Sequence, residues 1–457
     1  MAQGWGELLR RGNLARCAVT GGGMMMHAVN VFIVTTTLPS IVHDIGGLRY
    51  FAWSTTLYVV ASLLGGANCA SLMRRIGYRN GYRLALAIFA TGGLICASAP
   101  AMGVLLAGRF IQGLGAGTLS ALSFSMVRIL FPQPLWTRAF TVISMAWGIA
   151  TLGGPAVGGI FAQYGAWRAA FWSLALLALA MWVLVERALP RDLAKPSGPA
   201  LPVAMLSLAI LVGSALCISA GSMATEPLLN LLGVALAIVG LTVFARREAR
   251  AAIRVLPLGG CDPRSVLGGL YLAMLLLLIG VNSEIFVAYF LQKLHGMTPL
   301  HSGYISAMMS GGWTTFALIF SGRASPKALL RAGPLMMAGG LLLLAAVMPQ
   351  SDWPDALAVP LTMLALCAMG GGMGMCWPHL GAAVFNAAPD GERDLASASL
   401  TAIIMIGNAF GSAIGGMVTN MVGIASHTGL AAIWLFGLFA LAPMAAIAAT
   451  RRLQAGG

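Results

Sequence analysis

The stretch Arg109-Phe-Ile-Gln112-Gly113-Leu-Gly115-Ala-Gly117 lies inside an apolar run at 102–127 and decides the fold. An arginine this deep in an apolar run is costly in a membrane, and it usually faces a bundle interior or a water-filled cavity. Arg109 and Gln112 are three residues apart, so a helix brings them to one face. The glycines allow a second helix to approach closely. The stretch therefore predicts a membrane-spanning helix with its polar groups turned into a bundle.

The composition of the whole chain agrees with a membrane protein. Hydrophobic residues make up 59% of the 457 residues and charged residues only 9%, against about 25% charged residues in soluble domains. The formal net charge is +14, but the basic residues form short clusters between apolar runs, which is typical of topology signals and not of nucleic-acid binding. The seven cysteines are scattered without a CxxC pair, which argues against a disulfide framework or a zinc site.

Fourteen apolar segments are long enough to cross a bilayer of about 30 Å at about 1.5 Å per residue. They lie at approximately 17–41, 51–72, 83–100, 102–127, 139–162, 168–186, 201–220, 227–245, 265–291, 302–321, 332–349, 356–386, 396–421 and 428–450. With a cytoplasmic N-terminus, the cytoplasmic segments hold 23 of the 27 lysines and arginines, and the outer loops hold only Arg49, Arg168 and Lys293. This asymmetry predicts fourteen crossings of the cell membrane with both termini in the cytoplasm.

Two long polar connections divide the predicted spans into three parts. Residues 187–200 contain three prolines, and residues 246–264 are rich in arginine. They flank a hairpin of two apolar segments. The chain is therefore predicted to contain an N-terminal six-helix bundle at 1–190, a two-helix insert with its linkers at 191–255, and a C-terminal six-helix bundle at 256–457, with substrate handled between the bundles.

Two further stretches stand out, one rich in glycine in the fifth span and one rich in arginine in the turn after the second span. The fifth span contains Gly153-Gly154-Pro155-Ala-Val-Gly158-Gly159. Pro155 removes a backbone donor and can kink a helix, and the glycines let a neighbouring helix press close. The turn after the second span reads Leu72-Met-Arg74-Arg75-Ile-Gly77-Tyr-Arg79.

Together the three stretches resemble the signature motifs of the major facilitator superfamily. They look like the R-x-x-Q-G motif of the fourth helix, the antiporter motif G-P-x-x-G-G of the fifth helix, and the loop motif G-x-L-a-D-R-x-G-R-R. With fourteen spans, nearly the whole chain resembles the fourteen-helix drug:proton antiporter family. The resemblance implies an all-α polytopic fold of two six-helix bundles with a two-helix insert, and it implies no cofactor.

The chain departs from that family at two carboxylates. Asn30 stands nine residues before Pro39, where the family usually has an aspartate, and Arg74 stands where the loop usually has one. We nevertheless predict a set of cavity and gating residues. These are Asn30, Gln112, Gly113, Gly154, Pro155, Gly158, Gly159, Arg74, Arg75, Gly77, Trp377 and His379.

Proton coupling needs a titrating group inside the membrane. Of the 13 acidic residues, 12 fall in loops or at the ends of predicted spans, and Glu284 alone lies in the interior of one, about 12 Å below the outer end of that span by a rise of about 1.5 Å per residue. An ionisable residue within a membrane is a functional candidate by default. We predict that Glu284, His27 and Arg109 take part in coupling, His27 because it shares a helix face with Asn30. The alternatives are a structural glutamate and a neutral histidine satisfied by a neighbouring helix.

A methionine-rich helix raises a metal alternative. Met369, Met373 and Cys376 form a narrow stripe on the twelfth span. Thioether and thiolate ligands suit Cu(I), but methionine more commonly fills irregular apolar contacts in a glycine-rich helix. The stripe is therefore a weak candidate for metal binding.

The predicted function is secondary transport. The sequence has no G-x-S-x-G motif, Walker loop or His/Asp cluster, which argues against an enzyme and against ATP-driven transport. We predict a monomer that exports amphipathic or drug-like small molecules in exchange for protons by alternating access. The alternatives are an importer of a metal, a metal chelate or a small metabolite, and a degenerate membrane sensor that transports nothing.

Overall fold

The computed structural model describes residues 8, 11–46, 51–190, 193, 204–222, 226–297, 299–322, 326–424 and 426–450. These described residues form helices and connecting turns and contain no strand. The first eight helices are α1 (Arg11–Ile45), α2 (Phe51–Ile76), α3 (Tyr78–Ala97), α4 (Met102–Leu130), α5 (Trp136–Gln163), α6 (Trp167–Ala188), α7 (Met205–Ser222) and α8 (Pro227–Glu248).

The second half of the chain continues the same pattern, with one span interrupted at 282–286 and another at Ala440. A 3₁₀ segment (Asn282–Phe286) separates α9 (Val266–Val281) from α10 (Val287–Leu294). The remaining helices are α11 (Pro299–Phe320), α12 (Pro326–Val347), α13 (Asp355–Ala387), α14 (Arg393–Val422), α15 (Thr428–Phe439) and α16 (Leu441–Ala449).

Length and composition make this a multi-pass membrane protein. Among the described residues, 11 helical spans are long and apolar enough to cross a membrane. Large apolar side chains such as Leu228, Leu236 and Val239 on α8 are exposed. A soluble protein does not expose apolar faces of this extent, whereas lipid solvates them.

Contacts divide the chain into two compact units. Unit one contains Met1–Val212, Ala251–Pro257 and Pro389–Met405, and unit two contains Gly213–Arg250, Leu258–Ala388 and Ile406–Gly457. The predicted division at 1–190, 191–255 and 256–457 stays a prediction.

Helix α4 is the centre of unit one. It packs against α2 and α3 and also contacts α1 and α5, and it is buried along most of its length. Because a helix surrounded by other helices has no face left for lipid, its polar side chains must find partners inside the protein. This placement puts Arg109 at the core of the unit.

In unit two, α13 has the corresponding central position. It packs against α11 and α12 and contacts α9. Helices α9 and α16 pair along another side of the unit. The 3₁₀ segment interrupts the span that carries Glu284, so this residue lies at a break between two α-helices and not within a continuous one.

Candidate functional site

The polar site of unit one is built on Arg109 of α4. Its side chain is 1% exposed. The guanidinium Nη1 donates to Asn30 Oδ1 of α1 at 2.6 Å and to Gln112 Oε1 at 2.8 Å. Its Nε donates to the backbone carbonyl of Ser54 at 3.4 Å. One side chain thus ties α4 to both α1 and α2, and the predicted pair of Arg109 and Gln112 is in direct contact.

An aromatic and a histidine extend the network. The guanidinium carbon of Arg109 lies 4.1 Å from the centre of the Tyr58 ring, a cation–π geometry. The Tyr58 hydroxyl is 3.0 Å from His27 Nδ1 and donates to the His27 carbonyl at 3.3 Å. The imidazole also meets Trp147 of α5 edge-on, with ring centroids 6.1 Å apart. His27, Asn30 and Arg109, three residues singled out in the sequence, therefore join one buried network.

Tyr58 was not among the predicted site residues, although it bridges two of them. It stands in α2, where the sequence around it is apolar apart from Ser54 and Thr55-Thr56. A single tyrosine in such a run gives no pattern that points to a partner. Only the fold shows that its ring faces Arg109 and its hydroxyl faces His27.

The glycines that follow Arg109 hold α4 against two neighbouring helices. A Cβ atom added at Gly113 or Gly117 would clash with the α2 backbone at Tyr58 and Ser62. A Cβ atom at Gly115 would lie 2.5 Å from the Phe89 nitrogen of α3. Close approach of this kind requires the absence of a side chain. The motif therefore sets the distance at which Arg109 reaches its partners.

The glycine-rich motif at 153–159 packs one face of α5 closely against α1. A Cβ atom at Gly154 would come within 2.5 Å of Phe32 Cβ, and one at Gly158 would lie 2.9 Å from the Ile33 carbonyl oxygen. The space around Gly159 is open, with nothing within 4 Å of an added Cβ. Pro155 lies in the same helix, and its side chain is outside the described residues. Gly154 and Gly158, but not Gly159, therefore have a packing role.

The turn between α2 and α3 is formed around Gly77. Its φ of 82° lies in the left-handed region that favours glycine. Arg74 Nη2 donates to the Gly391 carbonyl at 3.3 Å, and Arg75 is exposed. Arg79 and Arg83 both pair with Glu186 near the end of α6. The turn is thus tied within unit one to α6 and to the 389–405 segment.

A second ion pair, formed by the carboxylate of Asp394, lies close to that turn. Asp394, in the first turn of α14, pairs with Arg128 near the end of α4. It also accepts a hydrogen bond from the Tyr78 hydroxyl at 3.0 Å. Asp394 and Glu186 lie at the ends of predicted spans, and the sequence alone predicts no partner for either. Their pairing depends on contacts between residues more than a hundred positions apart, which no local pattern encodes.

Unit two brings a smaller set of polar groups to the helix break. Asn282 Nδ2 donates to Asn408 Oδ1 of α14 at 3.1 Å, and the Ser283 hydroxyl is 3.9 Å from Met369 Sδ. Glu284 follows in the same 3₁₀ segment and is half-buried. A break in the helical hydrogen-bond ladder next to an ionisable side chain is a common feature of membrane sites that move ions or substrates.

The predicted residues of α13 contact backbone carbonyls and aromatic rings of neighbouring helices. His379 Nε2 is 3.0 Å from the Phe320 carbonyl, and the Cys376 thiol donates to the Leu329 carbonyl at 3.4 Å. Trp377 meets Trp313 of α11 edge-on, with centroids 6.1 Å apart. Met369 and Met373 are fully buried. Within the described part of the chain, no group of three His, Cys, Asp or Glu side chains could hold a metal ion.

Comparison with known proteins identifies the family. The model of the Major Facilitator Superfamily matches residues 20–359. A probable multidrug-efflux transporter of Mycobacterium tuberculosis is 35% identical over 428 residues, which is 91% of this chain and 89% of that protein. The tetracenomycin C resistance and export protein of Streptomyces glaucescens is 25% identical over 87% of this chain and 74% of its own.

A solved structure agrees at the level of the fold. The human organic anion transporter MFSD10 (TETRAN) superposes with a TM-score of 0.70 and 16% identity, over 96% of this chain and 99% of that one. At this identity the likeness shows a common fold. The family match, the close relative and the shared fold agree, and the chain belongs to the Major Facilitator Superfamily of membrane transporters.

Proposed function

We propose that this protein exports amphipathic or drug-like small molecules by alternating access, with a proton gradient as the source of energy. The relatives named as multidrug-efflux and antibiotic-export proteins support the substrate class. The observation that carries the proposal is the buried network of His27, Tyr58, Arg109, Asn30 and Gln112. Burying polar and charged side chains inside a membrane bundle costs free energy, so their presence there indicates a role in transport.

We further propose the fourteen-helix subtype, present as a monomer in the cell membrane with both termini in the cytoplasm. Helices α7 and α8 support the two-helix insert, because α8 qualifies as a membrane span and Met205–Ile218 of α7 is a shorter apolar helix. The asymmetry of basic residues along the chain supports the orientation. The bilayer then surrounds the exposed apolar faces.

Proton coupling is assigned to Glu284, His27 and Arg109. Asn30 cannot titrate, so the hydrogen-bonded position on α1 supplies no proton. His27 is buried and bonded to Tyr58, and Glu284 stands at the α9–α10 break. Either group can change its proton content when its surroundings change during the transport cycle, and Arg109 supplies a fixed positive charge in unit one.

The other predicted residues are assigned to the cavity and to gating. Gly113, Gly154 and Gly158 keep helices close, and the turn residues Arg74, Arg75 and Gly77 act where α2 joins α3. Trp377 and His379 line the substrate path from α13. These roles follow from helix packing and from the polar ends of the side chains.

The test is transport in inside-out membrane vesicles with a panel of amphipathic dyes and antibiotics. We expect uptake that rises when the vesicle lumen is acidified and falls to background when a protonophore collapses the gradient. Vesicles that lack the protein are the control. Uptake that ignores the gradient would remove proton coupling, and no uptake of any compound by folded protein would remove the export function.

A further inference from the structure

The guanidinium of Arg109 is a buried cation whose contacts are all neutral. Its partners are the amide oxygens of Asn30 and Gln112, the Ser54 carbonyl and the Tyr58 ring. None of the ion pairs between described residues includes it. Because a guanidinium stays protonated in proteins, a full positive charge is held in the core of unit one, and no described residue pairs it with a negative charge.

Donors in the same cluster also lack acceptors. Asn30 and Gln112 turn their oxygens toward Arg109, and the Nδ2 and Nε2 groups left over are buried without a hydrogen-bond partner. The Ser54 hydroxyl is buried and unpartnered as well. Both amide side chains are fully buried. Leaving a buried donor without an acceptor is energetically unfavourable, so the cluster lacks both a negative charge and hydrogen-bond acceptors.

We infer that this cluster binds an anionic group, namely the acidic group of a transported amphipathic substrate. The inference rests on the proposed export function and names its substrate class. A carboxylate offers two acceptor oxygens that suit the guanidinium fork and the adjacent amide donors. The cluster is buried here, so the substrate reaches it in a conformation that opens it during the transport cycle.

A free small anion such as chloride could also supply the negative charge that the cluster lacks, instead of an acidic group on the substrate. The two sources differ in what they predict for substrates. An acidic group on the substrate makes the acid a much better substrate than its uncharged amide. A bound chloride makes transport of both compounds depend on chloride without any preference for the acid.

The experiment compares one labelled amphipathic carboxylic acid with its primary amide, in proteoliposomes that hold purified full-length protein. We expect wild type to transport the acid with a kcat/KM at least about tenfold above that of the amide, a ratio that corresponds to about 1.4 kcal/mol. Asn30→Asp places a carboxylate against Arg109 and should reduce the acid-to-amide ratio by about tenfold. Gly103→Ala, on the same helix with open space around an added Cβ, should keep the wild-type ratio.

Several outcomes would overturn the inference. They are equal transport of acid and amide by wild type, an unchanged ratio in Asn30→Asp, and transport of both compounds that depends on chloride without acid preference. If Asn30→Asp does not fold, thermal unfolding of the wild type decides, because the acid should raise Tm and the amide should not. Failure of the export function looks different, since folded wild type then transports neither compound nor any member of the wider panel.

Discussion

At the scale of single residues, the buried charge of Arg109 has the largest energetic consequence. Each of its contacts is individually modest, but removing one partner of a buried polar network leaves the others unpaired. The network also joins three helices through one side chain. The residue that we propose for transport therefore also packs three helices together, so activity must be measured separately from the amount of folded protein.

Arg109→Ala should abolish transport at near-normal expression, because the residue lies inside a helix and has no role in membrane orientation. Arg109→Lys should recover only part of the activity, since a compact ammonium cannot reproduce the guanidinium fork. The measurement is gradient-driven uptake normalised to the amount of folded protein. Arg247→Ala, which removes an exposed arginine at the end of α8, is the control and should transport normally. Full activity in Arg109→Ala would exclude Arg109 from the mechanism.

Glu284→Gln should keep substrate exchange and lose the response to a proton gradient. Glutamine preserves the shape and the hydrogen bonding of the side chain but has no titrating proton. The measurement pairs gradient-driven accumulation with counterflow exchange in proteoliposomes. Glu226→Gln, an exposed carboxylate at the start of α8, serves as the matched control. If Glu284→Gln accumulates substrate as well as wild type, Glu284 is structural and His27→Asn becomes the next variant.

Asp44 offers a pH-dependent contact outside the membrane span Asn13–Val34. Hydrogen bonds from Arg168 and Trp167 hold the pKa of this carboxyl below its ordinary value of 3.8. A lowered pKa means that the stabilisation is present above about pH 4 and is lost as the pH falls through the lowered value. The Tm difference between wild type and Asp44→Asn should therefore be largest near pH 7 and shrink toward pH 3. A constant difference would contradict this account.

Sequence reasoning located the charged and amide members of the site but not the groups that complete it. Arg109 was found because a charged residue within an apolar run is conspicuous, and Asn30 because it stands where the resembled family usually has an aspartate. Gln112 and His27 were found because each shares a helix face with one of these two residues. Tyr58 is apolar enough to be unremarkable in such a run. Its role follows from the packing of α2 on α4, which is a property of the fold.

At the scale of elements, glycine determines which helix faces meet. The sequence showed the glycine clusters but could not tell which members face a neighbour. In α5, Gly158 contacts the α1 backbone while Gly153 and Gly159 have open space. The 3₁₀ break at Asn282–Phe286 was not predicted either, although the polar stretch Asn282-Ser283-Glu284 within an apolar run coincides with it.

Gly158→Ala should disturb the α1–α5 contact, whereas Gly153→Ala should not. The new methyl group would lie 2.9 Å from the Ile33 carbonyl oxygen, and overpacking of this kind typically costs about 1–3 kcal/mol. We expect a lower Tm and a fall in transport of about tenfold for Gly158→Ala, against a change within about twofold for Gly153→Ala. Both variants are compared by thermal unfolding and by uptake. Equal effects at the two positions would refute the assigned contact.

At the scale of the whole molecule, the apolar pattern predicted the helices well. Predicted segments such as 102–127 and 227–245 coincide with α4 and α8 to within a few residues. The helical signal is strong because every spanning segment must satisfy its backbone hydrogen bonds internally. The number of crossings is a separate question, because helix length and hydropathy identify 11 candidate spans among the described residues.

Reporter fusions decide whether the insert crosses the membrane twice. A fusion after residue 222 should report the outer side and one after residue 255 the cytoplasm, because α7 and α8 then form a transmembrane hairpin. A fusion after residue 190 is the cytoplasmic reference. If the fusions after 222 and 255 report the same side, the hairpin is not transmembrane and a twelve-helix topology replaces the fourteen-helix one.

The close packing of α4 against α2 and α3 also limits where mutations can adapt such a transporter to new drugs. Gly113, Gly115 and Gly117 have no room for any side chain, so every amino-acid replacement at these codons introduces a clash. Under selection for a new drug, beneficial mutations should therefore accumulate elsewhere, at positions whose side chains can vary in size. The contact of α4 with α2 and α3 should therefore stay constant, while changes in the range of exported drugs arise from substitutions on the surrounding surfaces.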